Sequence, residues 1–229
     1  MTVRDPFRSP AVTSRRDRPA KAPLSRDAIV AEALRQITAP DGGGMSLRKI
    51  ATALDTGPAS LYVYVADMDE LRALVLDHAL AAVVIESDGP WRDRLEALLR
   101  SNIEVLSASP ALAQLAVHAT AVGPNGLRIA EALLEMLAEG GVDPVSAAWA
   151  VDLLTMFVAA IAAEHTTGAE PGAPEGPVAQ AIDRAPAAEY PLVHAARKNI
   201  MSGSGEERFG WMVDVLLTGL LSAGRPRPR

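Results

Sequence analysis

The chain contains no cysteine. A disulfide framework and a thiolate metal site are both excluded, and a reducing cytoplasm is the natural compartment. The Arg-rich N-terminus is followed by no apolar run of the length a secretory signal requires, so no signal peptide is expected. No segment alternates apolar and polar residues over a useful length, which argues against strands. The four histidines, His78, His118, His165 and His194, show neither HExxH nor paired ExxH spacing, so no metal site is expected. Gly42-Gly43-Gly44 has no GKS or GxGxxG continuation and follows a helical pattern, so it reads as a loop and not as a phosphate cradle. No nucleophile-base-orienter set, paired carboxylate motif or cofactor fingerprint is present, and neither catalysis nor a cofactor is expected.

What is present is a chain of 229 residues, 49% hydrophobic, with a net charge of −6, enough to bury one sizeable core. Its charges are unevenly placed. Residues 1–66 carry ten Lys or Arg against six acids, whereas residues 67–229 carry twelve against twenty-two. A basic head on an acidic body can still meet nucleic acid, because binding depends on the field at one face and not on the sum. The longest apolar run is Val145 to Ala163, 19 residues interrupted by Asp152. Its alanine content, the absence of flanking Lys or Arg, and a cost of roughly 2.5–3.5 kcal/mol for a mid-bilayer aspartate favour a core helix over a span.

Helical spacing recurs along nearly the whole chain, and the fold class read from it is all-α. Residues 1–23 hold six basic side chains among prolines and serines and read as a disordered basic arm. A first helix is expected after Ser25, with Ile29, Ala33 and Ile37 inward, and a second near Ser46–Leu54. Asp55-Thr56-Gly57 makes a turn and Pro58 opens a third helix, its ring holding φ at a helical value. Further helices are expected over Met68–Ile85, Trp91–Ser107, Ala111–Ala121, Leu127–Glu139, Pro144–Thr166, Val178–Asp183, Tyr190–Met201 and Glu206–Ser222.

The stretch SLRKIATALDTGPASLYVYV, Ser46 to Val65, carries the functional signal. On a helical wheel Leu61 and Val65 form a buried stripe, Ala59 and Val63 point outward, and Ser60, Tyr62 and Tyr64 flank them. Two aliphatic anchors under a small apolar ridge edged by three hydroxyls suit the major groove of DNA, where hydroxyls bond phosphates and base edges and methyls meet thymine. Arg48 can reach a guanine edge or a phosphate, and Lys49 can add a phosphate contact. A helix, a short turn containing glycine and a second short helix are the parts of a helix-turn-helix reader.

Residues 24–72, with Ser-Leu-Arg-Lys-Ile-Ala, Leu61-Tyr62 and Tyr64-Val65 in combination, resemble the N-terminal DNA-binding domain of the TetR family of bacterial transcriptional regulators. The resemblance implies a three-helix helix-turn-helix domain (24–70) and a helical ligand-binding and dimerisation domain (71–224), flanked by the arm and a basic tail (225–229). It implies a cytoplasmic homodimer on a palindromic double-stranded operator, released when a small-molecule effector enters the body. By position, its DNA contacts fall on Ser46 and Arg48, on Pro58, Ala59 and Ser60, and on Tyr62, Val63 and Tyr64. Asp55 stands where the family usually has glycine, and Met68 where a lysine often binds phosphate.

For the body, an apolar pocket with a few polar groups suggests Leu115, His118, Trp149, Met156, Phe157 and His194 as effector contacts. Ala159, Ala160, Ala163, Trp211 and Val215 lie on helices with a second apolar face and are the expected dimer interface. The competing reading is a helical enzyme or small-molecule carrier whose N-terminal hairpin is only structural.

Overall fold

A computed structural model of the chain describes residues 23–39, 44–168 and 176–222. These form eleven helices and no strand. The basic arm except its last residue, Pro40–Gly43, most of the Gly168–Pro177 loop, and the basic tail lie outside the described residues.

The first three helices make the head: α1 (Arg26–Thr38), α2 (Leu47–Ala53) and α3 (Pro58–Leu61). Ser25 begins α1 as expected, its hydroxyl accepting from the Ala28 amide at 3.1 Å. Ile29, Val30, Ala33 and Ile37 are buried from one face of α1, and Ile50 and Ala51 meet them from α2. Leu61 and Val65 close this small core from below α3.

The body follows as α4 (Met68–Leu80), α5 (Trp91–Leu106), α6 (Pro110–His118), α7 (Pro124–Glu139), α8 (Pro144–His165), α9 (Pro177–Arg184), α10 (Pro191–Ile200) and α11 (Gly205–Ser222). Six helices, α3 and α6 to α10, open on proline, which lacks only an N–H that the first helical turn leaves unpaired anyway. Side-chain caps add to this: Asp67 accepts from Glu70, Ser109 from Leu112 and Asp143 from Val145. The centre of the body is α8, against which α5, α6 and α7 pack. Leu95, Leu98, Leu99, Leu133, Leu137, Leu154 and Val158 fill the space between them.

The expected helix over Met68–Ile85 is shorter than its apolar pattern. It stops at Leu80 because the Arg128 guanidinium donates to the Leu80 and Val83 carbonyls at 3.2 and 3.0 Å, satisfying helix-end acceptors while the chain turns. Helix α8 is the one helix among the described residues long and apolar enough to cross a membrane by length and composition. Its packing against α5, α6, α7 and α11 gives it the core role expected of it.

Candidate nucleic-acid interface and effector groove

The turn between α2 and α3 is set by six residues. The Thr56 amide donates to the Ala51 carbonyl at 2.8 Å and the Asp55 amide to Thr52 at 3.1 Å, the paired bonds of a Schellman motif. Such a motif places its middle residue in the left-handed region, and Asp55 takes it with φ +49°. Aspartate is one of the few residues that enter this region at small cost, so the missing glycine is tolerated. Gly57 then leads into Pro58, which opens α3 packed against α2.

Helix α3 is only four residues long. The chain beyond it tightens, with the Tyr64 amide bonded to the Leu61 carbonyl three residues back at 2.9 Å. In three-residue turns, side chains three apart eclipse one another. Tyr64 therefore lies over Leu61 and is only 5% exposed, which corrects its expected place on the outer ridge. Pro58 and Ala59 are exposed, Ser60 is half-buried, and Tyr62 and Val63 are 54% and 56% exposed. The outer surface of α3 is thus Pro58, Ala59, Tyr62 and Val63, with Ser60 at its edge.

Arg48 and Lys49 stand exposed on the first turn of α2, next to Ser46. Ser46 accepts the Ile50 amide with its backbone carbonyl at 2.9 Å, and its hydroxyl makes no capping bond. These three residues border a cleft of about 660 Å³ between α1 and α2, closed on the other side by Arg35 and Gln36. A face with two cations, several hydroxyls and an apolar ridge one helix wide matches the chemistry of a DNA groove.

The body holds a second concavity, a groove of about 680 Å³. Helix α5 supplies Arg100, Ile103, Glu104 and Ser107, the end of α8 supplies Ile161, Glu164 and His165, and α11 supplies Phe209, Trp211 and Met212. Arg100 lies 4.3 Å over the Phe209 ring and is bonded to Glu96 and Glu206. Its guanidinium is held in the charged form by those carboxylates, which outweigh its partial burial and raise its pKa.

None of the six residues expected to touch an effector lines this groove. Leu115 is buried on α6, and His118 is exposed at that helix's end. Phe157 is half-buried and stacks on Phe209 at 6.1 Å, behind the groove wall. His194 bonds the Ala185 carbonyl at 2.8 Å and ties α10 to α9. Trp149 and Met156 are 62% and 57% exposed, because positions 149, 153, 156 and 160 fall on the side of α8 that no described helix covers. The groove residues come from three helices distant in sequence, and of them the sequence singled out Trp211, for the dimer interface and not for an effector.

The expected interface set is also partly corrected. Trp211 and Val215 are exposed on α11 and Ala160 on α8, but Ala159 is buried and Ala163 packs half-buried against the core. The two inward alanines lie on the face of α8 shared with Val158 and Ala162.

Fold and site together define a helix-turn-helix DNA-binding regulator on an all-helical body. The family described as "Tetracyclin repressor-like, C-terminal domain" matches residues 85–223. The Streptomyces transcription regulator SCO7704 superposes with TM-score 0.76 at 38% identity, over 93% of this chain and all of its own. ActR of Streptomyces coelicolor, a TetR family protein solved with (S)-DNPA, superposes with TM-score 0.76 at 31% identity, over 89% of this chain and all of its own. The transcriptional repressor DrrR1 of Streptomyces coeruleorubidus is 27% identical over 89% of this chain and 80% of its own. The chain belongs to the TetR family of transcriptional regulators.

Proposed function

We propose that the protein is a cytoplasmic homodimeric repressor that holds a palindromic operator with two copies of α3 and releases it when a small molecule occupies the α5–α8–α11 groove. Residues 24–70 serve DNA and residues 71–224 serve the effector and the partner subunit; no catalysis is involved. ActR solved with (S)-DNPA and with actinorhodin, and the repressor DrrR1, support an effector-relieved repressor. The observation that carries the proposal is a pair of free surfaces, the α3 ridge on the head and an apolar face on α8 and α11.

Arg48 serves as the base-edge or phosphate cation, and Lys49 and Ser46 as phosphate contacts. Pro58, Ala59, Tyr62 and Val63 meet the groove floor, with Ser60 at its edge, while the buried Tyr64 ring supports α3 from behind. The uncovered face of α8 and α11, with Trp149, Leu153, Met156, Ala160, Trp211 and Val215, meets its symmetry mate in a four-helix contact. Two half-sites are needed because one short helix reads only a few base pairs.

The test is an operator selected from random double-stranded DNA with the wild-type chain. Arg48→Ala and Tyr62→Ala are each expected to weaken specific binding by roughly 1–3 kcal/mol while helical circular dichroism is unchanged. Full affinity in both variants, with the fold intact, overturns the assignment of α2 and α3.

A further inference from the structure

Helices α4 and α7 cap each other. Asp77, in the last turns of α4, is only 6% exposed, and its carboxylate accepts from the backbone amides of Asn125 and Gly126 at 2.8 and 3.1 Å. The Asn125 side chain adds a third bond at 3.0 Å. Pro124 opens α7, so those two amides are the first of its unpaired N–H groups. In return Arg128, one turn into α7, sends its guanidinium to the carbonyl of Leu80, the last residue of α4, and to that of Val83 three residues beyond. Each helix supplies the charge that the other's terminus attracts: an anion at the positive end of α7 and a cation at the negative end of α4.

The clasp has no slack. A Cβ on Gly126 would lie 2.3 Å from the Ala121 carbonyl oxygen, so the turn between α6 and α7 is already pressed against the start of α7. Helix α6 in turn touches α1 of the head. Helix α4 also packs on α1, while α7 packs on α5 and α8, two walls of the groove. Tilting α4 with α7 at rest would strip a buried carboxylate of three donors, which costs more than letting α7 follow.

We propose that this reciprocal clasp couples the head to the body, with Asp77 and Arg128 as positioning residues that make α4 and α7 move as one unit. The inference rests on the regulator reading above and names the joint through which that regulation passes. By linkage, a body that biases the head is biased by the head to the same degree. Operator DNA alone therefore suffices to probe the joint, with no effector in hand.

The experiment is hydrogen exchange on the full chain, with and without the operator selected above, following amides from Ile129 to Glu139 in α7. None of these amides bonds Asp77, so their exchange is not changed merely by deleting its carboxylate. In the wild type, operator is expected to slow their exchange on the order of tenfold. In Asp77→Asn and Arg128→Gln, operator is expected to slow amides of α1 but no longer those of α7. Arg128 is exposed, so its variant tests the joint even where Asp77→Asn fails to fold. A purely structural role would lower the melting temperature and leave the operator-dependent slowing in α7 intact; that outcome overturns the proposal. A wild type that binds operator with no change in α7 overturns the clasp alone, whereas a wild type that retains no DNA from the random pool overturns the regulator reading and the clasp with it.

Discussion

Replacing Trp211 with alanine tests the proposed dimer most sharply. The side chain is 66% exposed in the single chain, although tryptophan is highly buried on average. A tryptophan buries up to about 250 Å², so the uncovered part is on the order of 130–160 Å². At about 25 cal/mol per Å², covering it contributes roughly 3–4 kcal/mol. A two-fold axis uses the residue twice, and the sum is an upper bound because ordering at the interface offsets part of it. Even half of it, about 3–4 kcal/mol per dimer, raises the dimer dissociation constant by a factor on the order of 10²–10³. Sedimentation velocity across a dilution series reads this directly, and Val215→Arg should give the same shift by placing an unpaired charge in the contact. Operator affinity should fall with the dimer, while α1 to α3 stay folded. A variant whose dissociation constant matches the wild type's, or a wild type that sediments as a monomer at micromolar concentration, refutes the reasoning.

Two further outcomes follow from the head. Tyr64→Ala should destabilise the head by roughly 3–5 kcal/mol, as loss of a buried aromatic does, and should appear as a lowered denaturation midpoint before any operator is added; an unchanged midpoint would show that the ring does not support α3. Glu32 is held below the usual glutamate range mainly by the paired Arg35 guanidinium, with bonds of 2.7 Å, and Gln36 adds to this against the opposing effect of burial. A depressed folded pKa means stability that is present above the ordinary glutamate range and is lost as pH falls through it to the lower folded value. Glu32→Gln should therefore remove part of the head's acid sensitivity in pH-dependent melting below the ordinary glutamate range, and an identical pH profile for variant and wild type would refute the link.

Helix positions were largely legible from the spacing of apolar residues and from prolines such as Pro58 and Pro144 at helix starts. The left-handed turn at Asp55 was legible too, since few other residues could stand there without strain. Tyr64 was not, because a 3.6-residue wheel was carried past Leu61, where the chain tightens to three residues per turn. Trp149 and Met156 were read as pocket residues because an effector pocket is expected to be largely apolar. Their spacing with positions 153 and 160 places them on one stripe of α8, but a helix that is apolar all round gives no hint of which stripe its own chain covers. The same ambiguity turned Ala159 and Ala163 the wrong way. Asp77 and Arg128 left no sequence signal at all, because their partners lie 45 to 49 residues away and include backbone groups. The groove was equally hidden, its walls being drawn from three helices that only the folded chain brings together.

The apolar girth of α8 also bears on how much protein a cell must make before its genes respond. One stripe of that helix is satisfied by α5, α6 and α7, and the other is left exposed by its own chain and is the face that the proposed dimer covers. Pairing therefore lends each subunit stability as well as a second reading head, and both fade together on dilution. Below the dissociation constant, occupancy of a palindrome falls with the square of subunit concentration, and the lone subunit exposes an apolar stripe with Trp149, Leu153 and Met156 that favours aggregation and proteolysis. Scarcity is thus self-reinforcing: a modest drop in synthesis is converted into a steep loss of repression, and the threshold is written into the outward face of a single helix.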